Sequence, residues 1–144
     1  MPEDERIKQY GRCEECNEIN TEYQWCLKCN SAHFQNDFDK WTSGNKEIDY
    51  FIQNTQIHAW RYQLVLEWYP WENFSEIEKI GQGGYGTVFL AKRKLERISH
   101  WDKNNNQWSR YKINNHSQYV ALKTMRDSKS KDFMNEVTNL RLLY

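Results

Sequence analysis

The sequence of 144 residues lacks long apolar runs, and no stretch approaches the about 20 apolar residues that a membrane-spanning helix needs. Residues 1–6 are mostly charged and have no apolar segment typical of a secretory signal. Net charge is also absent, since 20 basic side chains balance 20 acidic ones. Aromatic residues, at 15%, argue against full disorder. We therefore expect one or two small folded domains in the cytoplasm, with no membrane partner.

The zero net charge hides an uneven distribution along the chain. Residues 1–84 carry 15 acidic and 8 basic side chains, whereas residues 85–131 carry 11 basic and 3 acidic ones. A basic segment can bind phosphate on a nucleotide, a nucleic acid or a partner, and it can equally be a solvated loop.

Cysteine is absent after residue 29, and the four cysteines form two copies of the pattern C-x-x-C-N. These residues are Cys13, Cys16, Cys26 and Cys29. Two such pairs can supply the four thiolates that bind zinc as a tetrahedron. We predict a structural zinc site without catalytic activity, in a zinc-ribbon-like module over residues 1–35.

Residues beside the cysteines refine this prediction. Each pair is expected to form a tight turn, with Asn17 and Asn30 at positive φ. Arg12 and Lys28 would offset the net negative charge of four thiolates around Zn²⁺. His33 could replace one cysteine, and disulfides or unrelated buried thiols are the remaining alternatives.

Residues 36–73 are expected to form a linker that contains one helix. The composition typical of a linker begins at residue 30 and continues to residue 45, with a turn at 43–45. The helix is predicted over residues 46–68, before Pro70. Its apolar face would pack in the core or bind a partner. The residues on this face are Ile48, Ile52, Thr55, Ala59, Tyr62 and Leu66.

Residues 80–88 read I-G-Q-G-G-Y-G-T-V, which contains the pattern G-x-G-x-x-G. Glycines allow a backbone to approach phosphate groups closely. In dinucleotide-binding folds a helix follows this pattern directly. Here residues 87–91 alternate as a strand does, so we predict strands over 74–80 and 86–91 around a glycine turn.

A third strand is predicted over residues 119–125, where Ala121 and Lys123 share one face. A small residue beside a lysine suits a flat base with its phosphates nearby, although a surface lysine on an edge strand is the simpler alternative. A helix is predicted over residues 131–144, and Glu136 faces partly inward on it. A carboxylate on an apolar face needs a partner, and Lys123 is the natural one.

Residues 92–118 are polar and contain three consecutive asparagines. We predict an exposed loop that Trp101 and Trp108 hold by packing. Stacking of these rings on nucleic-acid bases is the alternative, but nucleic acid is not expected as a partner.

Over residues 74–144 the sequence resembles the protein kinases. G-Q-G-G-Y-G-T-V is similar to their glycine-rich loop, V-A-L-K to their third strand and F-M-N-E to their αC helix. The whole chain resembles an expanded fungal family of tyrosine-kinase-like type. Members of that family share the paired C-x-x-C-N, a W-T-S-G-N segment, F-I-Q within a helix, and L-E-W-x-P.

The resemblance implies a protein kinase that binds ATP and, when complete, transfers the γ-phosphate to a protein hydroxyl. Lys123 would contact the α- and β-phosphates as a catalytic residue, and Glu136 would hold it through an ion pair. The residues implied in ATP binding are Ile80, Gly81, Gln82, Gly83, Gly84, Tyr85, Gly86, Val88, Ala121 and Lys123.

The kinase motifs H-R-D-x-x-x-x-N and D-F-G do not occur in the sequence. They belong to the second lobe and include the Mg²⁺ ligands, so we expect residues 74–144 to be an incomplete kinase domain without phosphotransfer of its own. The expected fold is α+β, with a zinc ribbon, a helical linker and an antiparallel sheet with the αC helix. The alternatives are a zinc-ribbon module that binds protein or nucleic acid, and a pseudokinase fragment without catalysis.

Overall fold

The structure is a computed structural model that describes residues 1–84 and 86–124. Tyr85, Glu136 and the helix expected over residues 131–144 lie outside the described residues. The described part has an α+β fold with three α-helices and two antiparallel sheets, which confirms the expected class. None of its helices is both long enough and apolar enough to cross a membrane.

The chain forms two compact units. The first contains residues 1–68 together with 98–109, and the described part of the second contains residues 69–84, 86–97 and 110–124. The helices are α1 (Glu3–Tyr10), α2 (Leu27–Asn36) and α3 (Lys46–His58). The strands are β1 (Phe74–Gly83), β2 (Gly86–Arg93), β3 (Ile98–Asp102), β4 (Gln107–Arg110) and β5 (Tyr119–Lys123).

Trp25 is the centre of the first unit, with only 1% of its surface exposed. Its indole Nε1 donates a hydrogen bond to the carbonyl oxygen of Ala59, at 2.9 Å. Phe34 on α2, Ala59 after α3 and Ile98 on β3 complete the buried cluster. Burial of a large ring with a satisfied N–H is favourable, so this tryptophan joins α2, the end of α3 and β3 into one core.

The helix α3 begins at the predicted residue but ends at His58, ten residues before the predicted end. At this point the carbonyls of Ala59 and Trp60 accept hydrogen bonds from Trp25 and Thr21. The chain then returns along α3, because the hydroxyl of Thr55 accepts a hydrogen bond from the main-chain N–H of Leu66. Tertiary hydrogen bonds, rather than Pro70, end the helix.

The expected turn over residues 43–45 is present, and it starts α3. The side chain of Asn45 accepts hydrogen bonds from the main-chain N–H groups of Glu47 and Ile48, as an N-cap residue does. Asp49 accepts hydrogen bonds from Ser43 and Thr42. Burial alone would raise the pKa of Asp49, but these hydrogen bonds hold it below its usual value.

The second unit contains a three-stranded antiparallel sheet in the order β1-β2-β5. β1 and β2 form a hairpin around the glycine-rich turn, and β5 pairs with the other edge of β2. On β5, Val120 and Leu122 are half-buried whereas Ala121 and Lys123 are exposed, so the predicted alternation is confirmed. Ala91 on the central strand is fully buried.

Residues 98–109 lie between β2 and β5 in sequence but belong to the first unit. The prediction of an exposed loop over 92–118 is wrong for this part, which forms the antiparallel pair β3 and β4. The residues that flank the segment 98–109 on its two sides are joined by hydrogen bonds within the second unit. The main-chain N–H of Tyr111 donates to the carbonyl of Arg97 at 3.1 Å, and a guanidinium N–H of Arg110 donates to that of Glu96 at 2.8 Å. These bonds let β2 and β5 remain neighbours.

Gly86 adopts a φ of 128°, a conformation that residues with a side chain rarely adopt. A Cβ atom at this position would lie 2.1 Å from the main-chain oxygen of Thr124. We therefore expect Gly86→Ala to lower the free energy of unfolding by about 1–3 kcal/mol. Urea denaturation followed by circular dichroism measures this change.

Gly81→Ala is the matched control, because a Cβ atom there has no heavy atom within 4 Å and φ lies outside the left-handed region. An equal loss of stability in both variants would show that the contact with Thr124 does not determine the effect.

Candidate metal centre

The first cysteine pair lies on a tight turn, as predicted. Arg12 pairs with Ile19 in an antiparallel bridge, and the N–H of Cys13 donates to the carbonyl of Glu18 at 2.7 Å. Asn17 follows the second cysteine with a φ of 63°, which confirms the expected positive φ. The turn leaves the side chains of Cys13 and Cys16 on one side of the closed loop, where their sulfur atoms can approach a common ion.

The second cysteine pair begins a helix instead of forming a second turn. Cys26 is the N-cap residue of α2, and Cys29 lies in the first turn of that helix. The expectation of a positive φ at Asn30 is wrong, because its N–H donates to the carbonyl of Cys26 at 2.9 Å as part of the helix. For the same reason residues 30–36 belong to α2 rather than to the expected linker.

The four sulfur atoms lie within 4.8 Å of one another. The Sγ atoms of Cys13 and Cys29 are 3.8 Å apart, and those of Cys16 and Cys26 are also 3.8 Å apart. Thiolates at about 2.3 Å from a central zinc ion in a tetrahedron are separated by about 3.8 Å. A disulfide needs about 2.05 Å, and all four cysteines are free. The donor set therefore fits a metal ion with four sulfur ligands.

Burial opposes negative charge on part of this cluster. Desolvation raises the pKa of Cys26 to about 11, and it also raises the pKa of Cys29. The main-chain N–H of Glu18 lowers the pKa of Cys16 by a hydrogen bond to its sulfur. A divalent cation would offset the cost of burying several thiolates together, because metal binding replaces the protons on the sulfur atoms.

His33, Lys28 and Arg12, which the sequence analysis named beside the cysteines, each contact another residue near the cluster. His33 is not among the clustered ligands, since its Nε2 lies 2.8 Å from a carboxylate oxygen of Glu15. Lys28 forms an exposed ion pair with Glu18. This glutamate is the main cause of the raised pKa of Lys28, and Cys16 contributes less. Arg12 donates to the carbonyl of Asn17.

The β3–β4 hairpin packs directly against the metal-binding segments. The ring of Trp101 stacks on His33 with 3.6 Å between centroids, and the ring of Trp108 stacks on Phe34 at 4.3 Å. The Nζ of Lys103 donates to the carbonyl of Glu14, at 2.6 Å. The prediction that the two tryptophans hold this segment by packing is confirmed.

This hairpin was not predicted from the sequence. A signal was present, because the asparagine-rich turn is flanked by one tryptophan on each side, as in a hairpin. The carboxylate of Asp102 organises the turn by accepting hydrogen bonds from Asn104 and Asn105. These bonds, first of all the one from the Asn105 side chain, lower the pKa of Asp102.

The residues implied in ATP binding lie on the sheet of the second unit. Lys123 pairs with Val88 across β5 and β2, and Ala121 pairs with Leu90. Ile80, Gly81, Gln82 and Gly83 lie on β1, Gly84 lies in the turn, and Gly86 lies at the start of β2. The hairpin and the lysine strand are therefore adjacent, while Tyr85 and Glu136 lie outside the described residues.

Each single cysteine-to-serine variant is expected to lose the metal, because it removes one of the four sulfur ligands. We expect one Zn²⁺ per chain for the unchanged protein and much less than one for Cys13→Ser or Cys29→Ser. Native mass spectrometry measures this stoichiometry. His33→Gln should retain the full zinc content, and loss of zinc in this variant would identify the histidine as a ligand.

Removal of the metal by a chelator is expected to expose the core of the first unit. Trp25 directly precedes Cys26 and is almost fully buried, so unfolding around the metal should shift tryptophan fluorescence to longer wavelengths. Emission spectra before and after chelation, and after zinc is added back, measure this effect. An unchanged spectrum in a sample that has verifiably lost its zinc would show that the core folds without metal.

The comparisons of this chain with protein-family models, with curated proteins and with solved structures give no match. What supports the metal centre is the spacing of its own four sulfur atoms and the elements that hold them. The first pair is held by a bridged turn and the second by the start of a helix.

Proposed function

We propose that this chain combines a structural zinc centre with the ATP-covering strands of a protein kinase of the cytoplasm. The 3.8 Å sulfur separations carry the first part of the proposal, because they match a tetrahedral zinc site. Four protein ligands leave no open coordination position, so the ion acts on stability rather than on catalysis.

The kinase part of the proposal is supported by the order and contents of the second sheet. β1, the glycine-rich turn and β2 follow one another along the chain, and the lysine-bearing strand β5 pairs antiparallel with β2 in the same sheet. A helix would follow the turn directly in a dinucleotide-binding fold, whereas here β2 follows it. The register places Lys123 opposite Val88, close to the hairpin that would cover the phosphates.

The chemistry of the proposed site is positioning and charge neutralisation. Main-chain N–H groups of the glycine-rich turn would face the phosphates, and the ammonium group of Lys123 would neutralise the α- and β-phosphates. Glu136 would pair with this lysine in the active arrangement. In a complete kinase domain, Mg²⁺ held by the second lobe would complete phosphate transfer to a protein hydroxyl.

An ATP analogue with a reactive acyl-phosphate tests this proposal, because it acylates lysines that lie against bound phosphates. We expect Lys123 to be labelled and excess ATP to reduce the labelling severalfold, as measured by peptide mass spectrometry. Lys92 is the matched control, since it lies on the same sheet, opposite Tyr119. Labelling of both lysines to the same extent, with no competition by ATP, would contradict nucleotide binding.

A further inference from the structure

The first unit contains an open cavity of about 360 Å³ beside the metal centre. Its lining includes the turn that carries the first cysteine pair and the end of β3 with the start of the hairpin turn. Cys13 and Cys26 line it, but Cys16 and Cys29 do not. The cavity therefore borders one cysteine of each pair, and it could hold a side chain with part of its backbone.

Aromatic rings form part of the cavity wall. Tyr10, Tyr23 and Trp101 all line it. Tyr23 is 70% exposed and has no described ring partner. An aromatic face that water still covers can bury apolar area against a ligand, and it attracts cations through its π electrons.

The charges that face the cavity favour a cation. Three carboxylates, on Glu14, Glu15 and Asp102, outnumber the permanent cations of Arg12 and Lys103, and the ring of His100 also lines the cavity. Both cations already donate hydrogen bonds to main-chain carbonyls, at 3.0 and 2.6 Å.

Glu14 differs from the other two carboxylates of the cavity. Among the described residues, the Glu14 carboxylate makes neither a hydrogen bond nor an ion pair. By contrast, the carboxylate of Glu15 contacts His33, and that of Asp102 accepts hydrogen bonds from the hairpin turn. Four thiolates around Zn²⁺ would place a further net negative charge next to the cavity. This part of the negative charge, unlike that of the carboxylates, rests on the proposed zinc centre.

Two buried donors at the cavity lack acceptors. The side chain of Asn30 is only 3% exposed and lines the cavity, yet its Nδ2 has no hydrogen-bond partner among the described residues. The indole Nε1 of Trp101, which also lines the cavity, is buried and has no hydrogen-bond partner within the described part of the chain. Unpaired buried donors are costly, and the carbonyl oxygens of a peptide backbone would supply the missing acceptors after a small side-chain movement.

We propose that this cavity binds a peptide segment through a lysine or arginine side chain. The cation would lie between the aromatic rings and Glu14, and neighbouring peptide carbonyls would accept hydrogen bonds from Asn30 and Trp101. A phosphate-bearing ligand is disfavoured by the excess of carboxylates, and a purely apolar ligand would leave both donors unpaired.

Titration of the zinc-loaded chain with a short glycine–serine peptide tests this proposal by nitrogen–proton NMR. A peptide with one central arginine should shift the indole resonance of Trp101 and the side-chain amide resonance of Asn30. The same peptide with citrulline, which keeps the shape but has no charge, should bind at least threefold more weakly. Equal binding of the two peptides, or binding of a single-stranded RNA at this site instead, would overturn the proposal.

Two variants locate the binding site. Tyr23→Ala and Glu14→Gln should each weaken binding of the arginine peptide about threefold, because each removes an exposed group that faces the cation. Tyr50→Ala is the matched control, since Tyr50 is 72% exposed and does not line the cavity. An equal loss of affinity in the control would also overturn the assignment.

The zinc content of each sample separates this proposal from the proposed function. Peptide binding by a chain that takes up no zinc would refute the metal centre and leave the cavity assignment supported. A zinc-loaded chain that does not distinguish the two peptides would refute the cavity assignment and leave the metal centre intact.

Discussion

Four cysteine sulfur atoms within 4.8 Å of one another are the constraint on which the first unit depends. They come from two segments that share no regular secondary structure, a bridged turn and the first turn of α2. The buried apolar cluster of this unit is small, with Trp25, Phe34, Ala59 and Ile98 as its fully buried members. A core of this size supplies little stability alone, and a metal bound by the four sulfur atoms would compensate by joining the turn to the helix.

The aromatic cluster extends this constraint to residues far away in sequence. α2 carries Cys29 in its first turn and the adjacent residues His33 and Phe34 about one turn later, and these two stack against tryptophans of the β3–β4 hairpin. The hairpin interrupts the sequence of the second unit between β2 and β5. Neither unit is therefore a continuous segment, and a fragment that ends before residue 98 lacks part of the core around Trp25.

Among its described residues, the second unit is held by backbone pairing more than by a buried core. β2 is the central strand, and Ala91 on it is fully buried, while most of β1 is exposed. Hydrogen bonds between Thr87 and Thr124 hold the end of β5 beside the glycine-rich turn. This geometry brings the turn and the lysine strand together, which is the arrangement that the proposed ATP site requires.

Local patterns in the sequence were sufficient to predict several features of the fold. The cysteine spacing predicted the cluster, and alternation and glycines predicted the three strands of the second sheet, because these signals act over a few residues. The apolar periodicity after the turn at residues 43–45 also predicted where α3 starts, whereas the N-cap hydrogen bonds of Asn45 emerged from the structure.

Tertiary structure alone decided where α3 ends, that the second cysteine pair begins a helix, and that residues 98–109 leave the second unit. The end of α3 follows from the hydrogen bond between Trp25 and Ala59, and the position of the hairpin follows from stacking of Trp108 on Phe34. Each of these contacts joins residues more than thirty positions apart. Their energies come from burial against particular partners, which a local pattern does not contain.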